Sequence, residues 1–337
     1  MKKTMIALAA LGAMAGAAHA QSSVTLYGLV DVYMGESTTK TQAGTTAKKG
    51  MSMSSGGLNG SRWGLRGAED LGGGLKATFQ LEAGFNVDDA TPNNAAKSFD
   101  RTAKVGLSGG FGTVEFGRQY TRLFNMVDSY DAQGTDSFSS ALGAIGGGVM
   151  GTSVRWDNSI VYSAPAMGGF SVSAQYAFGE NGTPALSAGK SMGLLAGYAS
   201  GPVSVHAVYE STKAIGGAAS MKYTGIGGSY DFGMVKAFGQ FLNQKDGVAN
   251  GVRENAYVLG LSVPMGAGTF NAGFGNERQK TAGVKSGKTS SYGIEYRYDL
   301  SKRTTLYAGL SHVKETAVPA GTFTKDQMYG IGMRHKF

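Results

Sequence analysis

The sequence contains no cysteine, and its 337 residues include only 6 prolines and 4 histidines. Without cysteine there is no disulfide framework, no thiolate metal site and no cysteine nucleophile. Few prolines, and glycines that follow no G-X-Y period, exclude a collagen-like chain. After residue 20 no apolar run reaches 18 residues, which excludes ordinary transmembrane helices.

Glycine, by contrast, is abundant. The 55 glycines are roughly twice the ordinary share of about 7%. Because glycine in a helix interior costs about 1 kcal/mol relative to alanine, this composition argues against a mainly helical protein. The 16 tyrosines and 16 phenylalanines make the chain too aromatic to be disordered.

Residues 1–20 predict a cleaved signal peptide. Two lysines precede an apolar stretch over residues 5–18, and Ala18-His19-Ala20 fits the small-x-small cleavage pattern. We therefore expect an exported mature chain that begins at Gln21. That chain holds 29 basic and 23 acidic residues, a formal charge of +6.

Apolar and polar residues alternate strictly in many segments of the mature chain. In residues 170–178, 291–300 and 75–85, every second residue is apolar or aromatic and most of the intervening residues are polar or small. A period of two residues over this length predicts β-strands with one apolar and one wet face. Such strands can span a membrane as a closed β-barrel.

The connections between these strands alternate in length. The long connections include residues 35–56, 86–97 and 121–153, and tight turns of a few residues lie between them. Tight turns on one side and long loops on the other are typical of an outer-membrane barrel. We predict a 16-stranded antiparallel transmembrane β-barrel over residues 21–337, a size that retains an aqueous channel. The sixteen predicted strands lie near residues 23–34, 57–69, 75–85, 98–108, 111–120, 154–164, 170–179, 191–200, 203–212, 221–231, 234–245, 253–264, 268–279, 289–300, 304–314 and 327–337.

Several motifs suggest other functions, but their context does not support them. Residues 282–289 resemble a phosphate-binding loop, yet they follow a polar run and precede an alternating strand. Residues 106–110 match the nucleophile-elbow string, but no helix follows and His206, His312 and His335 lie in distant strands. The histidines lack metal-ligand spacing, and the basic residues form no nucleic-acid patch. We therefore expect no enzyme activity, no cofactor, no metal and no nucleic-acid partner.

Several strings resemble the general-diffusion porins of Gram-negative bacteria, in their β-proteobacterial branch. They are residues 23–31 (SVTLYGLVD), 60–77 (GSRWGLRGAEDLGGGLKA), 105–107 with 111–114 and 116–118, and 157–162 (DNSIVY), together with the terminal Phe337. The resemblance implies a homotrimer in the outer membrane, surrounded by its lipids and lipopolysaccharide. It also implies that the barrel-insertion machinery reads Phe337, that residues 86–97 reach a neighbouring subunit, and that the third long connection folds into the barrel.

A diffusion pore needs a narrow point with an electric field. The connection at residues 121–153 is the longest stretch without alternation, and a loop of this length requires a functional reason. We expect its acidic residues, Asp128, Asp131 and Asp136, to form one wall of the constriction. The alternative is that they are exposed loop charges.

Strand parity predicts which charged residues face these acids. Trp63 and Leu65 alternate with Arg62 and Arg66, so the two arginines are expected to face the lumen. The same reasoning places Arg155 and Glu82 inside. Two other arginines fit the pattern less well, because Arg101 and Arg118 share parity with apolar residues expected on the outer face.

The family resemblance implies a lumen arginine near Arg101, whereas parity alone favours Lys104 unless a bulge intervenes. We include Arg101, Lys104 and Arg118 in the predicted constriction. Because rings of arginine and lysine favour anions, we predict passive diffusion of small hydrophilic solutes and ions with weak anion preference. The alternatives are a solute-specific channel and an adhesin-type barrel that acts through its external loops.

Overall fold

The computed structural model describes residues 23–143, 145, 154–179, 189–213, 220–317 and 322–337, so the predicted signal peptide at residues 1–20 lies outside the described residues. The described part contains seventeen strands and, at the start of the third long connection, the helix α1 (Arg122–Ser129). The strands are β1 (Ser23–Thr41), β2 (Thr46–Ser55), β3 (Arg62–Gly72), β4 (Leu75–Gly84), β5 (Thr102–Gly109), β6 (Gly112–Tyr120), β7 (Arg155–Ser163), β8 (Phe170–Ala177), β9 (Ser191–Ser200), β10 (Val203–Lys213), β11 (Ser220–Asp231), β12 (Lys236–Lys245), β13 (Val252–Met265), β14 (Gly268–Thr281), β15 (Val284–Asp299), β16 (Thr304–Ala317) and β17 (Phe323–Lys336). No helix among the described residues is long and apolar enough to cross a membrane.

The strands form one closed antiparallel sheet. Each strand from β3 to β17 pairs with the next one along the chain, and β17 pairs with β1. The first half of β1 pairs with β3 and its second half with β2. Strands β2 and β3 therefore share one position in the wall, and the predicted 16-stranded barrel is confirmed.

The two faces of the wall differ as the alternation predicts. Phe274, Tyr292 and Ile331 are exposed on the outside, where lipid would cover them, whereas Ser291 and Glu295 are buried on the inside. A barrel in lipid needs an apolar outer face, and its closure satisfies every backbone group within the sheet.

One predicted long loop is wrong. Residues 35–56 are not a loop, because β1 continues to Thr41 and the chain returns as β2. This segment is polar on both faces (Ser37-Thr38-Thr39-Lys40-Thr41), so it shows no alternation in the sequence. Its strands are stabilised by ladder hydrogen bonds to each other and to β17. In the same way, β14 and β15 extend beyond the predicted strands at residues 268–279 and 289–300 and meet at a turn at Ala282 and Gly283.

The link between β2 and β3 is held against the inner wall by one carboxylate. Asp31 is fully buried and accepts hydrogen bonds from the backbone N–H groups of Gly57 (3.1 Å), Leu58 (2.9 Å) and Asn59 (2.9 Å). The hydroxyl of Tyr307 also donates to it. Asp31 therefore fixes the chain between β2 and β3 against the wall.

Candidate functional site

The third long connection begins with α1, which lies inside the barrel. Thr121 caps the helix, because its hydroxyl accepts a hydrogen bond from Phe124 N at 3.1 Å. The backbone N–H of Leu123 donates to Glu210 Oε1 on β10 at 2.6 Å, and Gln240 Nε2 on β12 donates to Val127 O at 3.3 Å. We call the described residues 121–143 and 145 the inner loop, and its inward course agrees with the prediction.

The inner loop packs on an apolar patch of the lumen wall. Residues from both sides form one buried cluster, to which the loop contributes Leu123, Phe124, Met126, Val127, Tyr130, Leu142 and Ile145. The wall residues of this cluster are Val208, Tyr223, Leu242, Ala256 and Val258. Residues 256–261 are therefore apolar on both faces, and such a double-sided apolar strand could have indicated this contact in the sequence.

Glycines on the lumen face of the wall let the loop approach closely. A Cβ added at Gly293 would lie 1.7 Å from Ser139 O, and one at Gly227 would lie 2.5 Å from the Tyr130 ring. Any side chain at these positions would occupy the volume that the inner loop fills. Part of the high glycine content thus serves the contact between loop and wall.

The second half of the inner loop is attached to β15 through a buried carboxylate. Glu295 accepts hydrogen bonds from the hydroxyls of Ser137 (2.6 Å) and Ser139 (2.8 Å), and Arg297 donates to its other oxygen. Gln133 Nε2 donates to Ser139 O at 2.6 Å. These contacts hold the loop across the lumen.

A cavity of about 640 Å³ lies between the inner loop and the wall on the β1–β6 side. It is lined by five residues of the predicted constriction, namely Arg62, Glu82, Lys104, Asp128 and Asp136. Side chains of both charge signs thus border one water-accessible space.

Arg101 and Arg155 meet at Tyr120, beside this cavity. Arg101 donates from Nε to Glu82 Oε1 at 2.9 Å and from Nη2 to the Tyr120 hydroxyl at 3.0 Å. Arg155 donates to the same hydroxyl at 2.5 Å, and its guanidinium lies 4.1 Å from the centre of the Tyr120 ring. Asp136 Oδ2 is 3.9 Å from Arg101 Nη2. The structure therefore brings four of the predicted residues together.

The outward orientation that parity assigns to Arg101 is wrong. Strand β5 begins at Thr102, so Arg101 lies in the preceding loop and does not follow the alternation of the strand. Lys104, which parity places inside, has its Nζ 2.7 Å from Glu115 Oε1. Both basic residues therefore face the lumen.

Two residues of the predicted constriction point elsewhere, and these placements are corrections. Arg118 lies on the outer face beside Phe116, and its Nη1 donates to Asp157 Oδ1 at 2.6 Å. Asp131 is buried within the inner loop, where Ser140 donates to it at 2.5 Å. Burial raises the pKa of Asp131 to about 6.

Each of these two corrections has a local cause. Arg118 points outward because it keeps the parity of its apolar neighbours, even though the register with β7 shifts between Gly117 and Gln119. Asp131 follows α1, where the chain turns back on itself and the position of a carboxylate cannot be read from periodicity.

Arg66 does face the lumen, but nearer the short-turn end, with its guanidinium 4.9 Å from the centre of the Tyr27 ring.

Four lumen bases were missing from the predicted constriction. Arg122 of α1 and Lys336 of β17 line the cavity between the inner loop and the wall. Arg297 donates to Gln133 O of the inner loop, and Arg334 donates to Asn59 Oδ1 at 2.6 Å. The alternation at residues 291–300 and 331–337 carried the signal for Arg297, Arg334 and Lys336, since each shares parity with polar or glycine positions.

Comparison with known proteins decides the family. The model of the Gram-negative porin family matches residues 7–317 of the chain. The chain belongs to the Gram-negative porin family. The porin is 34% identical to an outer membrane porin protein of Bordetella pertussis and 37% identical to outer membrane porin protein 32 of Delftia acidovorans. Each alignment covers 100% of both chains.

Among solved structures, the porin is similar to an anion-selective porin from Comamonas acidovorans. The two share 32% identity with a TM-score of 0.81, over 94% of this chain and 100% of the other. The porin is thus a channel of the Gram-negative outer membrane that serves passive diffusion. Its relatives are channels and not enzymes.

Proposed function

We propose that the porin is a weakly anion-selective diffusion channel whose constriction lies at the inner loop. The observation that carries this proposal is a group of lumen bases that form no ion pair. Among the described residues, Arg62, Arg334 and Lys336 form no ion pair. Lys336 lies near three further bases, Arg62, Arg297 and Arg334, and near one acid, Asp299.

Three acids of the lumen wall are paired with bases. Glu82 is paired with Arg101, Glu115 with Lys104, and the buried Glu295 with Arg297. A paired carboxylate contributes little net field, so the unpaired bases set the sign of the potential in the passage. Arginine remains charged at all relevant pH values, which makes this field permanent.

The opposite wall of the proposed constriction consists of Asp128 and Asp136 on the inner loop. Both line the cavity, and Thr135 donates to Asp128 at 2.7 Å, which fixes that carboxylate. Together with Arg62, Arg101 and Arg155 they would produce a transverse field across the passage. The name of the Comamonas acidovorans relative, an anion-selective porin, supports the same sign.

Reconstitution in planar bilayers tests the selectivity. In a KCl gradient we expect a reversal potential of anion-selective sign, and a potential of cation-selective sign would overturn the proposal. Saturable block of the current by one organic anion would instead favour a solute-specific channel.

The assembly of the porin is also a proposal. We infer a homotrimer, contact with lipopolysaccharide in the outer leaflet, and recognition of Phe337 by the barrel-insertion machinery, on the basis of the family resemblance. Phe337 ends the chain in a backbone pair with Gly28, at 3.1 Å and 3.0 Å, on the closing seam of the barrel. Light scattering of the detergent-solubilised porin should give three chains per particle, and a monomeric mass would exclude the trimer.

A further inference from the structure

Five basic residues lie side by side across the external ends of five strands. In the strand register, Lys222 of β11 is opposite Lys245, which is opposite Arg253, which is opposite Lys280, which is opposite Lys285 of β15. We call these five residues the basic row. Like charges directly opposite each other destabilise a sheet, so the row requires an explanation.

The basic row faces outward. Lys245 shares parity with the exposed Phe241, and Arg253 shares parity with the exposed Tyr257. The acidic residue of β13, Glu254, has the opposite parity and is buried on the lumen side. Among the described residues, the basic row forms no ion pair.

The height of the row matches the polar boundary of a membrane. Lys245 and Arg253 each lie four positions beyond the last outward aromatic residue of their strand, Phe241 or Tyr257. Four residues span about 13 Å along a strand, or about 10 Å along the membrane normal at the usual barrel tilt. Asn243 lies between, and its Nδ2 donates to Asn255 Oδ1 at 2.7 Å. Toward the external end of these strands, the side chains on the outer face therefore change from aromatic rings to amides and then to cations.

A groove of about 560 Å³ opens at this place. Lys245, Arg253 and Lys280 line it together with Asn243 and Asn255. One carboxylate, that of Asp246, also lies in the lining and accepts a hydrogen bond from Val248 N at 3.2 Å. Three cations against one anion, directly above an apolar belt, fit the phosphates of an amphiphile whose acyl chains lie on the belt.

The position of the groove in the barrel leaves it open to lipid. Strands β12 and β13 lie eight wall positions from β4 and β5, across the barrel from the connection at residues 86–97. That connection is the one implied to reach a neighbouring subunit. The groove is therefore on the opposite side of the barrel from the inferred subunit contact.

We propose that the basic row and its groove bind the phosphorylated headgroup of an outer-leaflet glycolipid, with Lys245, Arg253 and Lys280 as its phosphate ligands. This proposal deepens the inferred contact with lipopolysaccharide and rests on it. The acyl chains lie along Phe241 and Tyr257, and the amides of Asn243 and Asn255 face the sugar.

Native mass spectrometry of the detergent-solubilised porin with diphosphoryl lipid A tests the proposal. The triple variant K245Q/R253Q/K280Q should bind this lipid at least tenfold more weakly than the wild type. The matched control K236Q/K302Q/R303Q removes three charges at the short-turn end and should bind as the wild type does. The proposal would be overturned if the triple variant bound lipid A as tightly as the wild type does. It would also be overturned if the wild type bound phosphatidylcholine as tightly as lipid A.

Two further measurements distinguish the possible failures. One contrary result is that dextran sulfate binds the wild type more tightly than the lipid does, and that the triple variant loses its affinity for dextran sulfate while it keeps its affinity for the lipid. In that case the groove is a polyanion site and the lipid assignment is wrong. The triple variant should retain wild-type conductance and reversal potential, which also shows that it is folded. A cation-selective wild type that still binds the lipid would overturn the proposed selectivity and leave this inference standing.

Discussion

Replacement of Gly293 by alanine should displace the inner loop into the passage. The new Cβ would lie 1.7 Å from Ser139 O, whereas ordinary contact begins at 3.4 Å, so the loop must move by about 1.7 Å. This movement strains the hydrogen bonds from Gln133 to Ser139 O and from Ser137 and Ser139 to Glu295. Three bonds at about 1 kcal/mol each place the cost near 3 kcal/mol.

Single-channel recording measures this displacement directly. We expect G293A to show lower conductance and larger open-channel noise than the wild type, because the loop narrows the passage and is held less firmly. Gly239 provides the matched control, since a Cβ there meets only Leu259 at 3.6 Å. If G293A and G239A both conduct like the wild type, the inner loop does not lie against β15 as described.

Three further predictions concern charge and anchoring. R62Q/K336Q should lower the anion-to-cation permeability ratio by roughly 3- to 10-fold, because each removed charge acts on ions of both signs; an unchanged reversal potential would contradict the proposed field. Because Asp131 has a raised pKa of about 6, its ionisation should weaken the docked loop as pH rises from about 4 to 6. D131N should abolish that dependence of the thermal unfolding temperature, and a persistent dependence would assign it to another group. D31A should lower the free energy of unfolding by about 3 kcal/mol, since it leaves three backbone N–H groups, two of them buried, without an acceptor. Heating in detergent measures this change, and D31A as stable as the wild type would refute the anchoring role.

The orientation of most strand residues follows from the sequence because it is a local property. Arg62, Arg66 and Glu82 lie within regular strands, where each side chain takes the face opposite to that of its neighbours. Their placement in the lumen could therefore be predicted from alternation alone. Alternation alone gives the wrong face for Arg101, which lies one residue outside β5, although the family resemblance placed it in the constriction.

The course of the inner loop could not be read from the residues in this way. Its anchors are distant in sequence, because α1 depends on Glu210 and Gln240 and the second half depends on Glu295. Periodicity describes neighbours along the chain and contains no information about such contacts. Asp131 was therefore assigned to the passage although the loop buries it.

The sequence by itself determined the all-β class and the strand faces, and it predicts an export signal at residues 1–20. Only the tertiary structure decided which charges share the passage. Closure of the barrel pairs Leu29 with Lys336 on one side and with Arg62 on the other, and so joins bases from opposite ends of the chain. The reason is physical: alternation is set by the geometry of each strand, whereas the field in the lumen depends on which strands the closed sheet makes neighbours.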